Sequence, residues 1–186
     1  MPTSLPNILT VSRILAIPPF VAAFYLPSPA AEWATFALFV AASLTDWLDG
    51  WLARRWRQTS ELGALLDPIA DKLLVAAALV MLAGAGRAPV LAVLVILARE
   101  LMVSGLREYM ATRSLSLPVT QLAKWKTATQ MAALCLLLVG DAAGVEVAGV
   151  SVPAAGAALL WLAAVLTVAT GWHYLRATLA HAGGRP

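Results

Sequence analysis

Apolar residues in this chain come in long uninterrupted runs. The charge-free stretches are Ile14–Ala31, Trp33–Thr45, Leu73–Gly86, Ala88–Ala98, Thr127–Gly140 and Val147–Leu175. A helix that crosses a bilayer needs about 20 mainly apolar residues, and only the first and last runs approach that length unaided. The middle four reach it if each helix continues into the charged flank beside it: Asp46 to Arg54, Ser60 to Lys72, Arg99 to Glu108, and Gln121 to Lys126. Pro27 and Pro29, then Gly84, Gly86 and Pro89, then Pro118, then Gly149 and Pro153 punctuate the runs where turns are needed. The pattern predicts an all-α polytopic membrane protein of six transmembrane helices, apolar at one end and polar at the other. Charge inside a membrane normally faces water or other charge, so the polar ends should gather around one cavity.

Composition fits this picture. The 186 residues are 61% hydrophobic and 12% charged, against roughly half and a quarter in an ordinary soluble domain, and no polar linker divides them. A single membrane-embedded domain over residues 1–186 is expected, with residues 1–13 (TSLPNILTVSR from Thr3) as an interfacial segment. Met1 to Leu9 carries no positive n-region and no cleavage site follows, so a cleaved signal peptide is not expected. Cys135 is the only cysteine, which excludes an intrachain disulfide and a cysteine zinc cluster.

Charge then orients the chain. With the N-terminus inside, Arg13, Arg54, Arg55, Arg57, Arg107, Arg113, Lys124, Lys126, Arg176 and Arg185 lie toward the cytoplasm, and Arg87 falls in an outer loop with Glu32, Asp141 and Glu146 nearby. Lys and Arg accumulate in cytoplasmic loops, so the polar cavity should open to the cytoplasm. The net charge of +3 suits anionic headgroups or phosphorylated substrates. Nucleic acid is not expected, because no basic, aromatic-interleaved soluble stretch is present.

The most informative stretch is DWLDGWLARRWRQTSELGALLDPIAD, from Asp46 to Asp71. Asp46 and Asp49 are three apart and Asp67 and Asp71 four apart, so each pair shares a helix face. Four carboxylates aimed into one space repel one another unless cations hold them together. All-oxygen ligands select hard ions, Mg2+ or Mn2+, and two such ions form a clamp suited to a diphosphate. Gly50, Ala53 and Gly63 lack the bulk that would keep a nucleotide away, and Arg54 offers a guanidinium to phosphate oxygens. Carboxylates in membrane helices also mark ion pathways, so a divalent-cation transporter is the alternative of another class.

Further along, Arg99 and Arg107 are eight apart in ARELMVSGLREYM, close to two helical turns. Lys124 and Lys126 open the fifth span. Together they would make a basic pocket for an acceptor bearing its own phosphate, although cytoplasmic topology alone also asks for such cations.

The spacing Asp46-x2-Asp49-Gly50-x2-Ala53-Arg54-x8-Gly63-x3-Asp67-x3-Asp71 resembles the signature of the CDP-alcohol phosphotransferase family at every fixed position. The resemblance implies that family's six-helix membrane fold, usually as a homodimer, with a two-metal site. It implies that Asp46, Asp49, Asp67 and Asp71 hold the metals and that Asp71 is also the general base. It further implies that Gly50, Ala53, Arg54 and Gly63, beside Asp46, Asp49 and Asp67, seat CDP. PNILTVSR, TDWLDGWLARRW, DPIADKLLVA, ARELMVSGLRE and KWKTATQM are similar to bacterial family members whose donor is CDP-diacylglycerol and whose acceptor is sn-glycerol 3-phosphate. By that similarity Arg99, Arg107 and Lys124 grip the acceptor phosphate, Asn7, Thr10 and Gln130 occupy motif positions, and the enzyme lies in a bacterial inner membrane. The segment from Val147 onward adds no motif. Within the family, a cardiolipin synthase or an inositol-phosphate transferase is the alternative.

Overall fold

The computed structural model describes residues 11–56, 61–113, 120–144, 146–147 and 149–182, and for residues 46–56, 61–68, 71, 147 and 181–182 the backbone alone. Among the described residues, residues 11–15 are helical and lead into α1 (Ile17–Ala23). There follow α2 (Ala30–Trp56), α3 (Glu61–Gly84), α4 (Val90–Ala111), α5 (Gln121–Val139), a short 3-10 turn (Gly140–Ala143), a hairpin of β1 (Glu146–Val147) and β2 (Val150–Ser151), and α6 (Val152–Ala182).

The apolar middle helices do continue into their charged flanks. α2 takes in Asp46 to Arg54, α3 begins upstream of Asp67, α4 carries Arg99 to Glu108, and α5 starts at Gln121. Pro68 stands inside α3 and removes one helix hydrogen bond, yet the helix runs through it from Glu61 to Gly84, and the helix starts are locally specified. Pro18 and Pro19 stand in the first turn of α1, where a missing N–H leaves no bond unmade. Pro89 is the N-cap of α4, and the Thr120 hydroxyl caps α5 by accepting from the Ala123 N–H at 3.3 Å.

Two boundaries fall differently from the pattern. The first apolar helix ends at Ala23, short of Pro27 and Pro29, and the chain turns before Ala30, so Val11–Ala23 is one of the shorter apolar helices. Ahead of α6, Glu146–Val147 pairs antiparallel with Val150–Ser151, Gly149 has φ +77°, and Pro153 stands in the first turn of α6 rather than before it. Helix α6 is the described segment long and apolar enough to cross a membrane, over Val152–Ala180 at a mean hydropathy of 2.0. Ala30–Thr45 and Lys72–Gly84 are shorter apolar helices. Of the expected interfacial segment 1–13, residues 11–13 are described; they are helical, and Arg13 is buried.

α6 packs along α5 and α4, while α2 touches α1, α3 and α5. Phe20, Phe39, Leu79, Leu82, Ile96, Leu134, Leu138 and Leu160 form the centre of the buried cluster, and the Phe20 and Phe39 rings meet at 6.3 Å. The outer surface is also apolar: Leu101 is 77% exposed, Val165 63% and Leu94 60%.

Consecutive helices alternate in direction, which puts Glu32, Arg87 and Asp141 around one cavity with Ser151. Arg87 stands 3.8 Å from Glu32 and donates to the carbonyls of Leu137 and Leu138, both at 2.7 Å, satisfying the C-terminal end of α5. Gly140 lies against this guanidinium at φ +54°, where a Cβ would come within 2.5 Å of Arg87 Nη2. Gly140→Ala should therefore destabilise the fold by about 2–3 kcal/mol, from the backbone conformation and the displaced charged bonds. The check is a lower Tm in detergent, with activity per folded molecule unchanged.

Candidate functional site

At the other end of the helices a cavity of about 570 Å³ is lined by Lys72 of α3, Arg99, Glu100, Ser104 and Arg107 of α4, Lys124 and Lys126 of α5, and Tyr174 of α6, among others. Helical periodicity explains how α4 supplies four of them: positions 99, 100, 104 and 107 recur at the spacing of one face. α5 contributes its lysines in its first two turns, so the positive end of its dipole adds to theirs. Cations at a helix N-terminus are locally unfavourable, and a bound anion would relieve that repulsion.

The internal bonding is specific. Glu100 Oε1 accepts from Arg99 Nη1 at 3.2 Å and also from Lys126 Nζ. One carboxylate is thus shared by two cations, and the cavity keeps a positive excess from Lys72, Arg99, Arg107, Lys124 and Lys126 against Glu100. Lys72 Nζ donates to Ser104 Oγ at 2.6 Å, tying α3 to α4. Arg99 Nη2 donates to Thr170 Oγ1 at 2.9 Å and Arg107 Nη2 to the Tyr174 hydroxyl at 3.2 Å. Both guanidinium groups stand over the Tyr174 ring, 5.7 and 5.3 Å from its centroid. The Arg99 Nε is buried with no hydrogen-bond partner among the described residues.

The three residues expected to hold an acceptor phosphate, Arg99, Arg107 and Lys124, therefore stand in one cavity. Lys126, named with them from the sequence, joins it as a buried cation. Lys72, Glu100 and Ser104 were missed, although Lys72 follows Asp71 directly and Glu100 follows Arg99. Tyr174 and Thr170, in the segment from Val147 that carries no motif, were also missed: α6 contacts both arginines. Gln130 is buried, with Oε1 unpartnered among the described residues, and is not among the residues lining the cavity. Asn7 and Thr10 lie outside the described residues.

The side chains of Asp46, Asp49, Gly50, Ala53, Arg54, Gly63, Asp67 and Asp71 also lie outside them. Their backbones can be placed: the first five positions fall in the last turns of α2, the last three in the first half of α3, and the two helices touch. Asp71 immediately precedes Lys72, so the acidic stretch borders the basic cavity. As a donor set, four carboxylates on the ends of two contacting helices fit hard divalent ions.

A basic cavity thus adjoins two aspartate-bearing helices in a mainly helical protein. The family model described as CDP-alcohol phosphatidyltransferase matches residues 3–169, and the chain belongs to that family of transferases. It is 45% identical over 174 residues to the CDP-diacylglycerol–glycerol-3-phosphate 3-phosphatidyltransferase of Rickettsia bellii, with 94% of each chain covered. It is 41% identical over 184 residues to the protein of the same name from Escherichia coli K12, with 97% of each covered. Identity to the one from Cereibacter sphaeroides is 42% over 211 residues, covering 95% of this chain and 96% of the other.

Proposed function

We propose that the protein is a membrane enzyme that transfers the phosphatidyl group of CDP-diacylglycerol to sn-glycerol 3-phosphate, giving phosphatidylglycerophosphate and CMP. The observation that carries the acceptor half is the cavity lined by five cationic side chains, with Glu100 the one acidic side chain among its described lining residues. A cationic or neutral alcohol gains nothing from such a pocket, whereas a phosphomonoester is matched by it. Family membership and the names of the relatives support the donor half.

In this reading Asp46, Asp49, Asp67 and Asp71 hold two Mg2+ or Mn2+ ions. When bound, these supply charge neutralisation for the diphosphate and for the attacking and leaving oxygens. Gly50, Ala53 and Gly63 leave room for the nucleotide, and Arg54 binds its phosphate oxygens, beside Asp46, Asp49 and Asp67. Arg99, Arg107 and Lys124 hold the phosphate of the acceptor. Asp71 takes the proton from the acceptor's primary hydroxyl, and that oxygen forms a bond to the lipid-side phosphorus. The bond from that phosphorus to the bridging oxygen breaks, CMP departs with the electron pair, and Asp71 returns its proton to solvent.

Six membrane spans are part of the proposal. α2 has 27 residues and α3 has 24, lengths of about 40 and 36 Å at 1.5 Å per residue, enough for a bilayer core. The exposed apolar side chains of α4 and α6 suit lipid. Exposed aromatics mark both ends, Tyr25 and Trp33 toward Arg87 and Tyr109, Trp125 and Trp172 toward the basic cavity, as expected of residues at the two membrane interfaces. The cation-rich end would face the cytoplasm from a bacterial inner membrane, and the enzyme would work as a homodimer.

The test is CMP release by purified enzyme from CDP-diacylglycerol with rival acceptors. Among glycerol 3-phosphate, phosphatidylglycerol and inositol phosphate, release is expected with glycerol 3-phosphate, to stop with a chelator and to return with Mg2+ or Mn2+. Release with phosphatidylglycerol would make the enzyme a cardiolipin synthase, and release with inositol phosphate an inositol-phosphate transferase. Cation flux in liposomes without lipid turnover would favour the transporter.

A further inference from the structure

We infer that Thr170, Gly171 and Tyr174 of α6 are positioning residues that hold Arg99 and Arg107 at the separation needed to receive the acceptor's phosphate. This rests on the acceptor-pocket reading given above. An arginine side chain has many rotamers, and two guanidinium groups aimed into one cavity repel each other, so α4 alone does not fix their separation.

α6 does so by three independent contacts. The Tyr174 ring lies under both guanidinium groups, at 5.7 and 5.3 Å, and is only 5% exposed. A desolvated π face attracts cations more strongly than one in water. The Tyr174 hydroxyl accepts from Arg107 at 3.2 Å, which sets that guanidinium's rotation as well as its height. Thr170 is buried, and its hydroxyl lies 2.9 Å from the carbonyl of Leu166 and the same distance from Arg99 Nη2. Donation to the helix carbonyl turns a lone pair of that oxygen toward the arginine.

The third contact is steric. A Cβ at position 171 would come within 2.9 Å of Arg99 Cγ, so the stem of Arg99 runs through space that glycine leaves open. α6 thus locates Arg99 at its stem through Gly171 and at its tip through Thr170, and gives both arginines a common support in Tyr174. A helix that only packed against α4 would need none of these polar matches.

The experiment measures KM for each substrate, kcat and Tm for Tyr174→Leu, Tyr174→Phe, Gly171→Ala, Arg107→Ala and the Tyr174→Leu/Arg107→Ala double variant of the full chain. Tyr174→Leu should raise the KM for glycerol 3-phosphate about tenfold, with the KM for CDP-diacylglycerol unchanged. Tyr174→Phe keeps the ring and should restore most of that, leaving a rise of about threefold. Gly171→Ala improves helix propensity, so a raised acceptor KM without a lower Tm is expected, and this variant decides the question if Tyr174→Leu does not fold. The double variant should lose less than the product of the two single losses, because both changes act on Arg107. Native acceptor KM in Arg107→Ala would overturn the phosphate pocket and this inference with it. A raised KM in Arg107→Ala beside native values in Tyr174→Leu and Gly171→Ala would overturn the positioning role alone. A fall in Tm with both substrates equally affected would also overturn it.

Discussion

Asp71→Asn is expected to lower turnover by about two to four orders of magnitude, the range spanned by a lost general base, while the chain still folds and inserts. Asparagine keeps an oxygen in the same place but cannot take up a proton at neutral pH. The hydroxyl of glycerol 3-phosphate must then lose its proton to water, and the attacking oxygen is a poor nucleophile until it does. The KM for glycerol 3-phosphate should change little, since its phosphate is held by α4 and α5 and not by α3's carboxylate. Position 71 is where these demands meet: the next residue, Lys72, reaches across to Ser104 on α4 and lines the basic cavity. The check is steady-state CMP release with labelled glycerol 3-phosphate at saturating metal. Near-native turnover would remove Asp71 from the role of base. A large loss that excess Mg2+ restores would instead assign it to metal binding alone.

Much of the fold was legible because the amino-acid pattern contains its own punctuation. Good helix formers run from the apolar stretches into the charged flanks and outweigh Gly50, Gly63, Pro68 and Gly105, so α2, α3, α4 and α5 continue, and alternating direction brings their polar ends together. The eight-residue spacing of Arg99 and Arg107 placed both on one face of α4 for the same reason. The elements that escaped depend on contacts distant in sequence. Arg99 meets Thr170 across 71 positions and Arg107 meets Tyr174 across 67, and no period in a uniformly apolar helix announces which tyrosine or threonine will be used. Glu100 was hidden differently: beside Arg99 it reads as an ordinary helix charge, and only the approach of α5 makes it the shared partner of Arg99 and Lys126. The pairing of Glu146–Val147 with Val150–Ser151 lies at the start of an apolar run, where Gly149 and Pro153 marked a turn but not two strands. The burial of Arg13 was not legible either, because burial of a charge leaves no mark on the sequence around it. The four aspartates were the strongest signal of all, because acidic residues at helical spacing in apolar sequence have few uses apart from binding cations.

Arg99→Ala is expected to reduce kcat/KM for glycerol 3-phosphate by about a hundredfold to a thousandfold, or roughly 3–4 kcal/mol of transition-state stabilisation. Its side chain is 10% exposed, so its bonds form in surroundings where charge is weakly screened. Removing it also leaves Lys126 to neutralise Glu100 alone, so the pocket loses one cation outright and a second becomes fully committed to its carboxylate partner. Arg99→Lys should recover part of the loss, to about tenfold below native, because lysine restores the charge without the fork that reaches Thr170 and Glu100 together. The decisive comparison uses plain glycerol as a second acceptor. The native enzyme should use it poorly, having no phosphate to hold, and Arg99→Ala should make that poor reaction no worse. If the variant instead lost the same factor with both acceptors, Arg99 would be acting on the reacting centre or on the fold, and the contact between this arginine and the acceptor's phosphate would have to be abandoned.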